Sequence, residues 1–365
     1  MNYRILVVNP GSTSTKLSVF EDAVPVAAET VSHDTSALSR YTQLMDQLPM
    51  RLEIVKEFLF RHGVHVSDLS AVACRGGLLR PLPSGTYLVN EAMVEELQNP
   101  SLGAHASNLA ACIGYELFRE SGVPAYIVDP IVVDELEPLA RLTGLKGIER
   151  ISIFHALNQK AVARQAAADM GRSYESLNLI MVHLGGGISV GAHHHGRVID
   201  VNNALNGDGP FAPERAGSLP AVGLVQLCFS GKYSEPEIMK LLAGKGGLVS
   251  HLGTNDARVV EGMIDSGDEH ARLVYQAMGY TVAKTVGAMA TVLSGDVDAI
   301  VLTGGMARSR MLVDDIIRRV QFIAPVKQYP GEDEMRALAE GVLRVLDGSV
   351  AAADYPPAHR TRGDT

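Results

Sequence analysis

The sequence predicts an α/β protein made of two similar halves, and three observations carry that expectation. Short apolar, strand-like runs alternate with stretches of helical periodicity along most of the chain. An apolar strand, a glycine turn and a second strand follow one another once in each half, beginning at Leu6-Val7-Val8-Asn9-Pro10-Gly11-Ser12 and at Ile180-Met181-Val182-His183-Leu184-Gly185-Gly186. At 365 residues the chain exceeds one typical domain and suits two.

In the first half, Ile5–Val8 and Lys16–Phe20 are apolar runs joined by a polar glycine turn, a strand–turn–strand pattern. Leu44, Leu48, Leu52, Val55 and Leu59 recur at helical spacing. Ala71–Cys74 is a short strand that delivers Arg75. Asn90 is a good N-cap for a helix to Leu97, and 107–121 reads as a buried helix. Ala125–Val128 is a strand ending at Asp129.

In the second half, 153–170 is helical and Leu179–Leu184 is a strand. Ile188–Ala192 and Arg197–Val201 form a hairpin through His193-His194-His195-Gly196. Ser234-Glu235-Pro236-Glu237 is a capping box with proline in the first turn. Residues 268–293 form a long helix, Ala299–Leu302 a strand, and Glu334–Leu346 an amphipathic helix. From Ser349 the chain is small, polar and proline-containing, which predicts a flexible tail over 349–365.

A net charge of −9 disfavours nucleic acid and anionic membrane as partners, since both call for a basic face. No window holds eighteen apolar residues, and the N-terminal residues lack the pattern of a signal peptide. Cys74, Cys112 and Cys228 form no C-x-x-C pair and cannot all be bridged. A cytoplasmic location is expected.

Three glycine turns follow apolar strands: Asn9-Pro10-Gly11-Ser12-Thr13-Ser14-Thr15-Lys16, Gly185-Gly186-Gly187, and Gly304-Gly305-Met306. None is a P-loop or a dinucleotide fingerprint. The first brings together an amide, several hydroxyls and a lysine, the donors a phosphate requires. As a bare pattern it is equally a polar hairpin loop.

Taken in order, these motifs resemble the acetate and butyrate kinase family. Val7–Lys16 is similar to the family's opening signature, with Pro10 and the threonines closer to the butyrate branch. Ile153-Phe154-His155-Ala156-Leu157-Asn158-Gln159 resembles that branch where acetate kinases carry His-Gly-Thr-Ser-His. The stretch from His183 through Asn202-Asn203-Ala204-Leu205-Asn206-Gly207-Asp208 to Arg215-Ala216-Gly217 is also similar. The resemblance spans about Arg4 to Leu346. It implies two duplicated actin/sugar-kinase-like (ribonuclease H-like) domains with a nucleotide cleft between them. The expected domains are 1–153, with helix 334–348 packing back on it, and a nucleotide-binding domain 154–333.

The implied reaction is ATP-dependent phosphorylation of a short-chain carboxylate, butyrate first, with isobutyrate, propionate or acetate as alternatives. By resemblance Arg75 and Arg215 stabilise the transition state, as planar guanidinium forks suit transferring phosphoryl oxygens. Asp129 matches the catalytic aspartate, and His155 meets the phosphoryl group. A carboxylic acid is already ionised at neutral pH, so Asp129 is expected to position rather than deprotonate. Asn9, Ser12, Ser14, Lys16, His183, Gly185, Gly186, Gly187, Gly304 and Gly305 are expected to bind nucleotide and phosphate. Gly77, Ala104 and Phe154 are expected to line the acyl pocket. Glu334, with Glu332 as the alternative, is expected to support Mg²⁺ or Mn²⁺.

Asp134, Glu135 and Glu137 read as ordinary charged surface, and the histidine run as a solvated turn. A homodimer or higher homo-oligomer is expected. An actin-like nucleotide switch and a sugar kinase remain the readings from other classes. The first needs no convergence of Arg75, Asp129 and His155, and the second needs a base for a hydroxyl of high pKa.

Overall fold

The structure is a computed structural model that describes residues 2–100, 103, 105–205 and 207–356. The chain divides into two compact units, Met1–Val133 with Asp333–Thr365, and Asp134–Glu332.

In the first unit β1 (Arg4–Pro10), β2 (Ser14–Glu21) and β3 (Val24–Ser32) form an antiparallel meander. β4 (Ala71–Arg75) pairs parallel to β1, and β6 (Ala125–Val128) parallel to β4. β5 (Thr86–Leu88) runs antiparallel on β6. Ile5 to Val8 are buried on both faces of the sheet, which is why the strand reads as a continuous apolar run. β3 lies at the sheet edge, is largely exposed, and lacks a strong apolar signal in the sequence.

The second unit repeats the plan. β7 (Asn178–Leu184), β8 (Ile188–His194) and β9 (Arg197–Val201) form a meander. β10 (Ala299–Gly304) lies parallel to β7, and β11 (Val326–Pro330) parallel to β10. The order β9-β8-β7-β10-β11 mirrors β3-β2-β1-β4-β6. The two glycine turns noted in the sequence therefore follow equivalent strands, with Asn9 on β1 and His183 on β7. The fold is the duplicated α/β architecture that the sequence predicts.

Helix Glu334–Leu346 belongs to the first unit. A Cβ on Gly341 would lie 2.4 Å from Val128 Cγ1, so only glycine lets this helix approach β6 so closely. The boundary anticipated at residue 153 lies at Val133. Residues 134–153 group with the second unit because Glu137 N donates to Ile199 O at 3.0 Å and Arg150 pairs with Asp200 and Asp208.

The tail anticipated from 349 is docked as far as Pro356. β12 (Ala353–Asp354) pairs parallel with β5. Tyr355 is buried in the first unit's core, beneath the Arg80 guanidinium at 4.7 Å from its ring centroid. Composition missed this because one aromatic side chain and two ladder positions anchor it. Residues 357–365 lie outside the described residues.

Candidate active site

In the first unit the expected residues gather at the C-terminal ends of parallel strands, where α/β sheets present functional groups. Asn9 is the penultimate residue of β1 and Arg75 closes β4, and the neighbouring residues Val8 and Cys74 are register partners. Asn9 Nδ2 donates to Glu334 Oε2 at 2.9 Å, and the other Glu334 oxygen forms an ion pair with Arg75 Nη1. Glu334 is the first residue of its helix, so its carboxylate also meets that helix's N-terminal dipole.

Asp129 follows β6 in a left-handed conformation, φ 36°, unusual for a residue with a side chain. Its carboxylate accepts from Ser84 Oγ at 2.5 Å and Gly85 N at 2.9 Å, and its own N–H donates to Gly85 O. These bonds hold a strained backbone in place, a pattern that points to function. His105 lies near Arg75. Burial and that cation lower its pKa, so the ring is neutral there at neutral pH.

The β1–β2 turn closes with Gly11 N donating to Ser14 O at 2.7 Å. Ser12 is exposed and Ser14 half-buried at its tip. Lys16 is the cross-strand partner of Asn9, so both side chains leave the same face of the ribbon. Arg51 lies fully buried beneath this turn. It donates to Gly11 O at 3.0 Å, Ser14 O at 3.1 Å and Thr15 Oγ1 at 3.0 Å, and Gln47 accepts from its other edge. The turn's carbonyls are thereby satisfied from inside. In the sequence Arg51 carries one signal only, a charge on the buried stripe of an amphipathic helix.

Gly77 is a correction. A Cβ there would meet Asn108 Oδ1 at 2.5 Å and Leu97 Cδ2 at 2.7 Å, so its missing side chain is filled by neighbouring atoms and leaves no cavity. Gly77 lets the strand end pack on helix Asn108–Ser121, and Asn108 Oδ1 accepts from Leu78 N at 2.8 Å. Ala104 lies outside the described residues.

In the second unit His183 sits near the end of β7 and Gly185–Gly187 form the following turn. The rings of His155 and His183 stack with centroids 3.7 Å apart. His183 Nδ1 meets Asn158 Oδ1 at 2.7 Å, and Nε2 lies 3.2 Å from Glu332 Oε1. Phe154, just before His155, is buried. Gly304 has φ 92°, and a Cβ there would lie 2.3 Å from Leu184 O, so glycine is required where β10 passes the end of β7. Gly305 N donates to Glu332 Oε1 at 3.3 Å. Arg215 donates from Nη1 to Glu214 O at 3.2 Å, while its Nε is buried without a hydrogen-bond partner among the described residues.

Two surface expectations are corrected. Asp134 pairs with Arg141 at 2.7 Å, and Glu135 pairs with the buried Lys160 at 2.8 Å while accepting from Val198 N. Glu137 is exposed, as ordinary surface would be. His193 belongs to β8 and is fully buried, because strand alternation turns it inward while His194 and His195 stay exposed. Burial first, then the charges of Lys160 and Arg164, hold its pKa well below the usual histidine value.

Among the described residues no three His, Cys, Asp or Glu side chains form a metal cluster. A nucleotide-bound Mg²⁺ needs only one or two protein carboxylates beside water and phosphate oxygens, and Glu334 and Glu332 each offer one. No helix among the described residues is long and apolar enough to cross a membrane.

A family model described as the acetokinase family matches residues 141–329. Among solved structures, an acetate kinase from Porphyromonas gingivalis is 19% identical, with TM-score 0.78 over 94% of this chain and 100% of that one. An Entamoeba histolytica acetate kinase is 17% identical with TM-score 0.76, covering 93% of this chain and 98% of that one. A propionate kinase from Francisella tularensis subsp. tularensis SCHU S4 is 19% identical with TM-score 0.74, covering 93% and 98%.

Proposed function

The chain belongs to the acetokinase family of ATP-dependent carboxylate kinases, and from that premise we propose that its acceptor is butyrate, giving butyryl phosphate and ADP reversibly. The observation that carries the phosphoryl-transfer chemistry is the Arg215 guanidinium, whose buried Nε has no hydrogen-bond partner among the described residues. A buried, unpaired donor is costly unless an anionic ligand meets it. The choice of butyrate is supported by the sequence around Asn9-Pro10-Gly11 and His155-Ala156-Leu157-Asn158-Gln159, which resembles the butyrate branch.

In this proposal Arg75 and Arg215 hold charge that grows on the equatorial oxygens during transfer. Asn9, Ser12, Ser14 and Lys16 in the first unit hold phosphate oxygens, as do His183 and the turn Gly185–Gly187 in the second. Gly304 and Gly305 lie along the adenosine. His155 donates to the transferring group, and Asp129 positions that group, the metal or its waters. A bound Mg²⁺ neutralises phosphate charge, and Glu334 is the carboxylate proposed to support it. Phe154, buried just before His155, is the side chain proposed to wall the acyl chain. Cys74, Cys112 and Cys228 are free thiols, which supports a cytoplasmic setting. Helix Ala221–Cys228 exposes Val222 and Val225 beside Phe229, which supports assembly as a homo-oligomer.

Acyl phosphate formation, trapped as hydroxamate, tests the acceptor across acetate, propionate, butyrate, isobutyrate and valerate. Two further buried methylenes contribute about 1.6 kcal/mol, so butyrate should exceed acetate in kcat/KM by about tenfold or more. An enzyme that prefers acetate would overturn butyrate and leave the family assignment standing.

A further inference from the structure

The buried polar side chains of the second unit form one continuous chain that ends on His155. Its members are Tyr174, His193, Gln159, Ser189 and His155. The fixed point is the main-chain oxygen of Ser189, which can only accept. Gln159 Nε2 lies 3.1 Å from that oxygen, so the amide nitrogen faces Ser189. The same nitrogen lies 2.8 Å from Ser189 Oγ, which therefore accepts from it.

On the far side, Gln159 Oε1 then faces His193 Nε2 at 2.9 Å, so His193 carries its hydrogen on Nε2. His193 Nδ1 accepts from the Tyr174 hydroxyl at 2.7 Å, as a neutral ring requires. On the near side, Ser189 is fully buried, and among the described residues its hydroxyl meets two groups, Gln159 Nε2 and His155 Nδ1 at 2.9 Å. Having accepted from the amide, the hydroxyl has its own hydrogen left to donate, and His155 Nδ1 is the acceptor within reach. The hydrogen of the neutral His155 ring is consequently on Nε2.

We propose that Gln159 is a positioning residue which, through Ser189, sets His155 in the Nε2–H tautomer so that the ring meets an anionic phosphoryl oxygen as a neutral hydrogen-bond donor. The consequence for turnover rests on the carboxylate-kinase reading above; the tautomer is a property of the free protein. Gln159 lies one helical turn after His155, which is the N-cap of helix Ala156–Asp169, and its N–H donates to His155 O at 2.9 Å. Ring and amide are thus held by one short piece of backbone.

Gln159→Glu keeps the shape but replaces the amide donor with an acceptor. Ser189 must then donate to the carboxylate and accept from His155, which moves the histidine hydrogen to Nδ1 and turns a lone pair toward the phosphoryl group.

Long-range ¹⁵N–¹H NMR of the histidine side chains reads the tautomer directly, with the His155 signal assigned by its loss in His155→Gln. The wild-type protein should show a pyridine-type Nδ1 and a pyrrole-type Nε2. Gln159→Glu should reverse them and lower kcat by about tenfold or more while KM for ATP changes by less than about twofold. Should that variant not fold, Ser189→Ala removes the bridge at smaller cost and should likewise abolish the single-tautomer spectrum. A wild-type protein that makes acyl phosphate with His155 protonated at Nδ1 overturns the inference, as does an unchanged spectrum and kcat in either folded variant. The expected tautomer in a protein inert toward every carboxylate upholds the hydrogen-bond chain and overturns the functional reading instead.

Discussion

The imidazoles of His155 and His183 lie face to face, with ring centroids 3.7 Å apart and planes 12° apart. His155 is held at its face by this stack and at its Nδ1 edge by Ser189, so its orientation depends on both. His155→Ala is expected to lower turnover by about a hundredfold. His183→Phe keeps a face for His155 but loses the contacts to Asn158 and Glu332, and a loss of about tenfold is expected. Steady-state rates of acyl hydroxamate formation check both. Full turnover in His155→Ala would remove that ring from the reaction.

The two arginines should affect turnover far more than ATP binding, because the charge they meet develops during transfer. Arg75→Ala and Arg215→Ala are each expected to lower kcat by roughly a hundredfold or more, with a much smaller change in KM for ATP. Arg75→Ala also deprives Glu334 of its cation, so a melting curve should accompany the kinetics. If both variants turn over normally, neither residue belongs to the site.

Glu334 and Glu332 lie two positions apart in sequence but in different surroundings. Glu334 meets Asn9 and Arg75 in the first unit, whereas Glu332 meets His183 and Gly305 in the second. Glu334→Gln should raise the Mg²⁺ concentration needed for half-maximal rate, and Glu332→Gln should leave it nearly unchanged. A titration of rate against Mg²⁺ separates them, and the reverse result would transfer the metal role to Glu332.

Gly77 should prove a packing residue. Its Cβ would press on Asn108 and Leu97, so Gly77→Ala is expected to cost about 1–3 kcal/mol of stability and to lower the melting temperature. The ranking of acids by chain length should not change. A variant with wild-type stability and a shift toward shorter acids would return Gly77 to the pocket wall.

His193 makes stability depend on pH in a defined sense. Its folded pKa is depressed by burial and nearby cations, while the unfolded residue titrates near 6.5. Above that pH both states are neutral and the stability is fully present. Below it the unfolded chain takes up a proton that the folded chain refuses, so stability falls as pH drops toward the folded pKa. His33 and His105 are shifted in the same direction, so the His193 share is isolated by a variant. His193→Gln, melted from pH 7.5 to 5, should lose stability less steeply than wild type. Parallel curves would show that His193 takes up its proton equally in both states.

The sequence by itself determined the strands whose two faces are buried, the glycine turns after β1 and β7, and the last helix from Glu334 to Leu346. In each, local pattern and tertiary environment agree: continuous apolar runs suit a covered parallel sheet, and glycine suits a strand end where another backbone passes closely. Asn9, Arg75, Asp129 and His183 stand at or beside the ends of such strands, so pattern could place them, whereas the roles proposed for them come from the family resemblance.

Only the tertiary structure decided the residues whose role comes from partners distant in sequence. Arg51 satisfies a turn about forty positions away, Glu135 neutralises a buried lysine, and Tyr355 anchors a segment that composition reads as loose. Gly77 looks like spare room in the sequence but is filled in the fold by Asn108 and Leu97. His193 sits in a run of three histidines that reads as solvated, and strand pleating buries it beside Gln159 and Tyr174. Periodicity reports which face a residue takes, but it does not report what waits on that face, and the direction of a hydrogen bond depends on the partner.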